Sequence, residues 1–170
     1  VTTWVALLRA INVGGTTKLP MEQLRAICAA AGMRNVRTYI ASGNVVLDSD
    51  LDEAGVRAAI EDGIEQAYGK RIPVLVRSGA ELARVVAVNP FPHAVGNRLV
   101  MLFTEAEPSL AGLRHQQGEE IGLGRREIYI HYGDGMAQPK LSLAAMKDGT
   151  GRNLNTIVRL VEMAAAASAA

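Results

Sequence analysis

Residues 1–77 predict an α+β fold of the ferredoxin-like kind, built on a split β-α-β unit. Short apolar runs alternate with amphipathic stretches there in the order β-α-β-β-α-β, and a Ser42-Gly43-Asn44 turn joins the middle two strands without room for a helix. The first strand, residues 5–11, is apolar at both alternating sets, Trp4, Ala6 and Leu8 against Val5, Leu7 and Ile11. A strand of that kind needs cover on both faces, which predicts a second half packed tightly against the first. The division expected is a ferredoxin-like half at 1–77 and a related, altered α+β half with a C-terminal helix at 78–170.

Each element has its own signal. Asn12-Val13-Gly14-Gly15-Thr16-Thr17-Lys18 is a loop by composition. Pro20 suits the first turn of a helix whose inward stripe is Leu24, Ile27, Cys28 and Ala31, with Gly32 as the stop. Strands are expected at 36–40 and 45–47. Asp50 or Asp52 caps the next helix, which turns Val56, Ala59, Ile60 and Ala67 inward and ends at Gly69. Residues 72–76 form the fourth strand.

The second half repeats the rhythm loosely. Ser78 and Glu81 make a capping-box pattern ahead of Leu82, Val85 and Val86, and Asn89-Pro90-Phe91-Pro92 ends that helix. A strand at 99–103, a short helix at 108–115 and a hairpin of 121–123 with 128–132 across Gly124-Arg125-Arg126 follow. A helix at 139–147 and a last one carrying Ile157, Leu160, Val161 and Ala164 complete the chain, and the recurring strand-helix-hairpin-helix order suggests structural duplication. The Ala-rich stretch 164–170 reads as a fraying end.

Composition narrows the function classes. The 170 residues are 49% hydrophobic and 21% charged, with a net charge of +1, which argues against disorder and against a general nucleic-acid or membrane binder. One cysteine excludes a disulfide framework or a multi-cysteine metal site within the chain. The absence of a secretory pattern and of a long apolar run predicts a cytoplasmic protein. The balanced total conceals a basic start: residues 1–47 carry +4 and residues 48–65 carry −6.

The expected topology gathers the end of the first strand, the Ser42–Asn44 turn and Gly69-Lys70-Arg71 at one edge. Gly14 and Gly15 would let backbone N–H groups approach a ligand, and a helix N-terminus favours negative charge. Lys18, Lys70, Arg71 and Arg9 supply cations, and Asn12, Ser42 and Asn44 supply neutral polar groups. A purely structural use of the same glycines, turn and arginine stands beside this reading. Arg152, Asn153 and Asn155 open the final helix, where one Asn or Thr150 serves as cap and Arg152 could meet an anion.

Other chemistries lack their residues. Cys28 shares the apolar stripe of Leu24 and Ile27, so it reads as core. His93, His115 and His131 have no metal-ligand spacing, and no metal or cofactor is expected. Asp48-x-Asp50-x-Asp52 starts like a calcium loop, but Glu53 and Ala59 stand where it needs Gly and Glu. Neither a Walker loop, a Gly-x-Gly-x-x-Gly fingerprint nor a Gly-x-Ser-x-Gly elbow occurs. Aromatic residues are only 4%, which leaves few stacking platforms for single strands.

Four blocks carry a resemblance. Residues 6–15 (ALLRAINVGG) with Pro20, Met21 and Leu24, then 37–46 (RTYIASGNVV), Asn89-Pro90-Phe91 and 152–156 (RNLNT) resemble a bacterial domain-of-unknown-function family, number 1697. The resemblance implies a compact α+β protein with ferredoxin-like halves and no established activity. Its blocks include Arg9, Asn12, Gly14, Gly15, Ser42, Gly43, Asn44, Arg152, Asn153, Asn155 and Thr156. The function expected is binding of a small molecule bearing phosphate or another anion at the polar edge, without a covalent nucleophile. Any catalysis there would rest on electrostatic stabilisation by Arg9, Lys18 and backbone N–H groups. A nucleic-acid-binding module using the basic start and a homodimeric interaction protein are the alternatives.

Overall fold

A computed structural model describes residues 1–11, 18–133 and 139–168. The chain forms two compact units, one comprising Val1–Leu82 with Leu160–Ala170 and the other Ala83–Arg159. The fold is α+β, with two four-stranded antiparallel sheets and four α-helices among the described residues.

The first unit holds β1 (Thr2–Leu8), α1 (Met21–Ala30), β2 (Arg34–Thr38), β3 (Asn44–Ser49), α2 (Glu53–Tyr68) and β4 (Val74–Ser78), in sheet order β2-β3-β1-β4. That is the expected split β-α-β arrangement. Ala6, Leu8, Val45, Leu47, Val74 and Val76 point to one face, where Leu24 and Cys28 of α1 and Val56, Ile60 and Ile64 of α2 close the core. On α2 the stripe runs through Ile64, while Ala67 is exposed. Asp52 accepts from the Gly55 N–H at 2.8 Å, and Gly69, with φ of 69°, ends the helix in the left-handed conformation.

The other face of β1 is also covered, since Val5 and Leu7 have no exposed surface. On that side the Arg37 guanidinium donates to the Met163 carbonyl at 3.0 Å. β1 stops short of residue 11 because Ala10 adopts φ of 48°, which breaks the extended run. Ile40 leaves β2 for the same reason, at φ of 49°.

From β4 the chain enters α3 (Gly79–Ala87), where the Ser78 hydroxyl accepts from the Glu81 N–H at 3.0 Å. The second unit contains β5 (Leu99–Phe103), β6 (Glu120–Leu123), β7 (Glu127–His131) and β8 (Thr150–Asn153), in order β6-β7-β5-β8. Strand for strand this repeats the first sheet's order, and α4 (Leu154–Ser168) follows β8 as α3 follows β4. Even one connecting hydrogen bond recurs: Thr104 N–H donates to Arg126 O at 3.1 Å, as Leu8 N–H donates to Gly43 O at 2.9 Å.

The second unit departs from expectation in its helices. Residues 108–115 are not helical; Gly112 and His115 have φ of 73° and 60°, and Arg114 pairs with Ser142 in an isolated bridge. Of residues 139–147 only Ala144–Lys147 winds, as a 3-10 turn. The loops instead supply Leu113, Leu141 and Leu143 to the core over Leu102, Ile128 and Ile130. Among the described residues, no helix is long and apolar enough to cross a membrane.

Candidate functional site

In an antiparallel sheet of order β2-β3-β1-β4, the end of β1, the β2–β3 turn, the start of α1 and the start of β4 share one edge. Backbone bonds fasten them. Leu8 N–H reaches Gly43 O, and Arg9 N–H reaches Pro73 O at 3.1 Å. Gly43 has φ of 89° and packs against Leu8 and Ile11. Ala10, Ile40 and Gly43 thus put three left-handed residues at this edge. Ile40 is a β-branched example, 51% exposed, and conformations of that kind concentrate at functional sites.

The expected residues take different positions. Asn12, Gly14 and Gly15 lie outside the described residues. Arg9 is half-buried at the end of β1, and Lys18 is exposed just ahead of α1. Asn44 is fully buried; its amide donates to Tyr39 O at 2.9 Å and to Ser42 Oγ at 3.0 Å, so it locks the turn from inside. Arg71 is engaged by acids of α2, lying 2.7 Å from Glu65, 3.0 Å from Asp62 and 3.3 Å from Glu61. The hydrogen bonds it donates to Glu65 and Asp62 raise its pKa further above the usual arginine value.

Two features of this edge were not read from the sequence. Pro20 occupies the N-cap of α1, so no side chain caps the helix. The N–H groups of its first turn have no acceptor within the helix. Arg25, one turn on, donates through Nη1 to Thr38 Oγ at 2.6 Å, which brings its guanidinium beside the end of β2. It meets no carboxylate among the described residues. Only the topology reveals this neighbour, because residues 25 and 38 belong to separate elements. Glu22, in the first turn of α1, is the nearby acid.

Arg152, Asn153 and Asn155 belong to the second unit. Arg152 is 8% exposed on β8, opposite Met101, and donates to Thr150 Oγ at 2.7 Å and Gly151 O at 3.0 Å. Burial pulls its pKa down to about 10. Asn153 caps α4, its Oδ1 accepting from Thr156 N–H at 2.9 Å. The Asn155 side chain lies against Gly96, where a Cβ would find no space. Cys28 is fully buried, and among the described residues no group of three or more His, Cys, Asp or Glu could hold a metal ion.

The chain belongs to the family described as Protein of unknown function (DUF1697), whose model matches residues 1–129. Among solved structures it resembles the conserved bacterial protein SP0830 from Streptococcus pneumoniae. That match has a TM-score of 0.81 and 21% identity, and it covers 96% of this chain and 98% of the other. At that identity the likeness concerns the fold. No curated protein matches the sequence.

Proposed function

We propose that the protein binds a small molecule through a phosphate or similar anionic group at the edge formed by the end of β1, the start of α1 and the Ser42–Asn44 turn. The observation that carries this reading is the side-chain-free N-terminus of α1, flanked by Lys18 and by Arg25. N–H groups with no acceptor inside the helix and the positive end of its dipole suit an anion, and two cations add long-range attraction. Arg9 at the end of β1 and the fixed turn at Asn44 complete the setting. Arg71 is not assigned a role, because α2 already neutralises it.

Thermal unfolding with inorganic phosphate, nucleotides and short oligonucleotides tests this reading. A ligand at a hundredfold excess over its Kd stabilises by about 2.7 kcal/mol. Phosphate-bearing small molecules are expected to raise the Tm of the wild type more than that of Arg25→Ala or Arg9→Ala. Stabilisation by nothing, or equal stabilisation of all three proteins, would overturn it. Stabilisation by oligonucleotides alone, falling steeply with salt, would point to nucleic acid instead.

A further inference from the structure

β6 ends the second sheet as β2 ends the first, at the same place in the matching strand order. The two edges are finished differently. β2 carries a register shift between Arg34 and Arg37, and Asn35 within it adopts φ of 50°, so that edge is kinked and set with arginines. β6 runs against β7 from Glu120 to Leu123 without a shift. It holds neither lysine nor proline, and its centre is Ile121-Gly122-Leu123. A regular edge with an apolar centre is a template for another strand.

The ladder tells which groups this edge offers. Gly124 N–H donates to Glu127 O at 2.8 Å, so that pair is hydrogen-bonded, and by alternation so are Gly122 with Tyr129 and Glu120 with His131. The N–H and C=O groups of Ile121 and Leu123 therefore point away from β7. Glu119 O, the next outward acceptor, already takes a bond from Gln116 Nε2, and the turn at Arg125 closes the other end. Leu123 is 52% exposed. The run reads Glu119-Glu120-Ile121-Gly122-Leu123-Gly124-Arg125-Arg126, with acids before the centre and arginines after it. That order is self-complementary when the strand lies antiparallel to a copy of itself.

We propose that β6 pairs antiparallel with β6 of a second copy of the chain, about a twofold axis through Gly122. Ile121 then exchanges its outward backbone hydrogen bonds with the partner's Leu123, and the symmetry-related pair does the same. Leu123 packs beside the partner's Ile121 on one face. Glu120 falls opposite the partner's Gly124, one residue from the partner's Arg125, and the contact recurs across the axis. Arg125 is exposed and the Glu120 side chain is 64% exposed, so both can reach across. A strip this short buries less than the roughly 1,200–2,000 Å² of a stable interface, so the dimer is weak. None of these residues takes part in the anion edge of the first unit, so the two proposals stand or fall separately.

The test is sedimentation velocity of the full chain at rising concentration, with the Tm of each variant measured alongside. The wild type is expected to dimerise with a Kd on the order of 0.1 mM. Leu123→Pro removes an outward N–H and no bond to β7, and it should leave monomer at every concentration. Glu120→Arg and Arg125→Glu each set like charges together on both sides of the axis, and each should weaken the dimer by about tenfold. Mixed in equal amounts, these two variants regain opposite charges at both contacts and should associate as tightly as the wild type. A wild type still monomeric at about 1 mM, a dimer indifferent to these variants, or a mixture no tighter than either charge variant alone would overturn the proposal. The charge exchange decides the matter even where Leu123→Pro fails to fold.

Discussion

Gly43 is pressed against Ile11: a Cβ built on the glycine would come 2.8 Å from Ile11 Cδ1 and 2.9 Å from Leu8 Cβ. This contact fastens the β2–β3 turn to the end of β1, and with it the geometry of the proposed anion edge. Gly43→Ala therefore meets two penalties, a left-handed φ of 89° and overpacking of a filled space. The expected loss is about 2–4 kcal/mol, measured by urea unfolding, with phosphate stabilisation reduced in whatever folds. A neutral substitution would show that the turn is not fastened in this way.

Asp48 makes the first unit sensitive to acid. Burial disfavours its charge, but hydrogen bonds from Asn35 at 2.7 Å and Thr3 at 2.7 Å, with the charges of Arg37 and Arg34, outweigh that and hold its pKa below the usual aspartate value. A lowered folded-state pKa means the contribution is complete above the unfolded pKa, about 3.9. It is lost as pH falls through that value towards the folded one. Wild-type stability should accordingly drop on acidification below about pH 5, and Asp48→Asn should flatten that part of the profile. Parallel pH profiles of unfolding free energy for the two proteins give the answer.

Cys28 is inert in the native state. Burial pushes its thiol up to about 12, and the side chain is fully enclosed between α1 and the sheet. At pH 8, thiol reagents should modify it only as fast as the chain opens, and the labelling rate should rise with urea. Rapid labelling of the folded protein would place Cys28 outside the core.

Legibility differed between the two units for a physical reason. The first declares itself locally: period-two strands, a stripe through Leu24 and Cys28, the Asp52 cap and the Gly69 stop each act within a few residues. The second relies on distant pairing. Thr150-Gly151-Arg152-Asn153 has no strand signature, yet β5 recruits it as β8 through Val100–Phe103. The polar cluster at Arg152 therefore reads from sequence as a helix start, with a capping residue and an arginine open to an anion, whereas Asn153 caps and Arg152 is buried in the sheet. Residues 108–115 carry helix-compatible side chains but are held open by their left-handed backbone and the bridge to Ser142.

The edge itself was legible as a place before its chemistry was. Strand order alone gathers Arg9, Lys18 and the Ser42–Asn44 turn, and that order follows from the sequence pattern. The pairing of charges does not, because it depends on which helix face turns where. Arg71 looks like a site cation until α2 sets Asp62 and Glu65 against it. Arg25 joins the edge only because Thr38, on a separate strand, receives its guanidinium.

The central claim concerns the uncapped start of α1, and amide chemical-shift mapping during titration with inorganic phosphate tests it most directly. Saturable shifts are expected at Met21, Glu22, Gln23 and Gly43, and they should shrink in Lys18→Ala and Arg25→Ala. Shifts absent at those amides, or unchanged when both cations are removed, would contradict it.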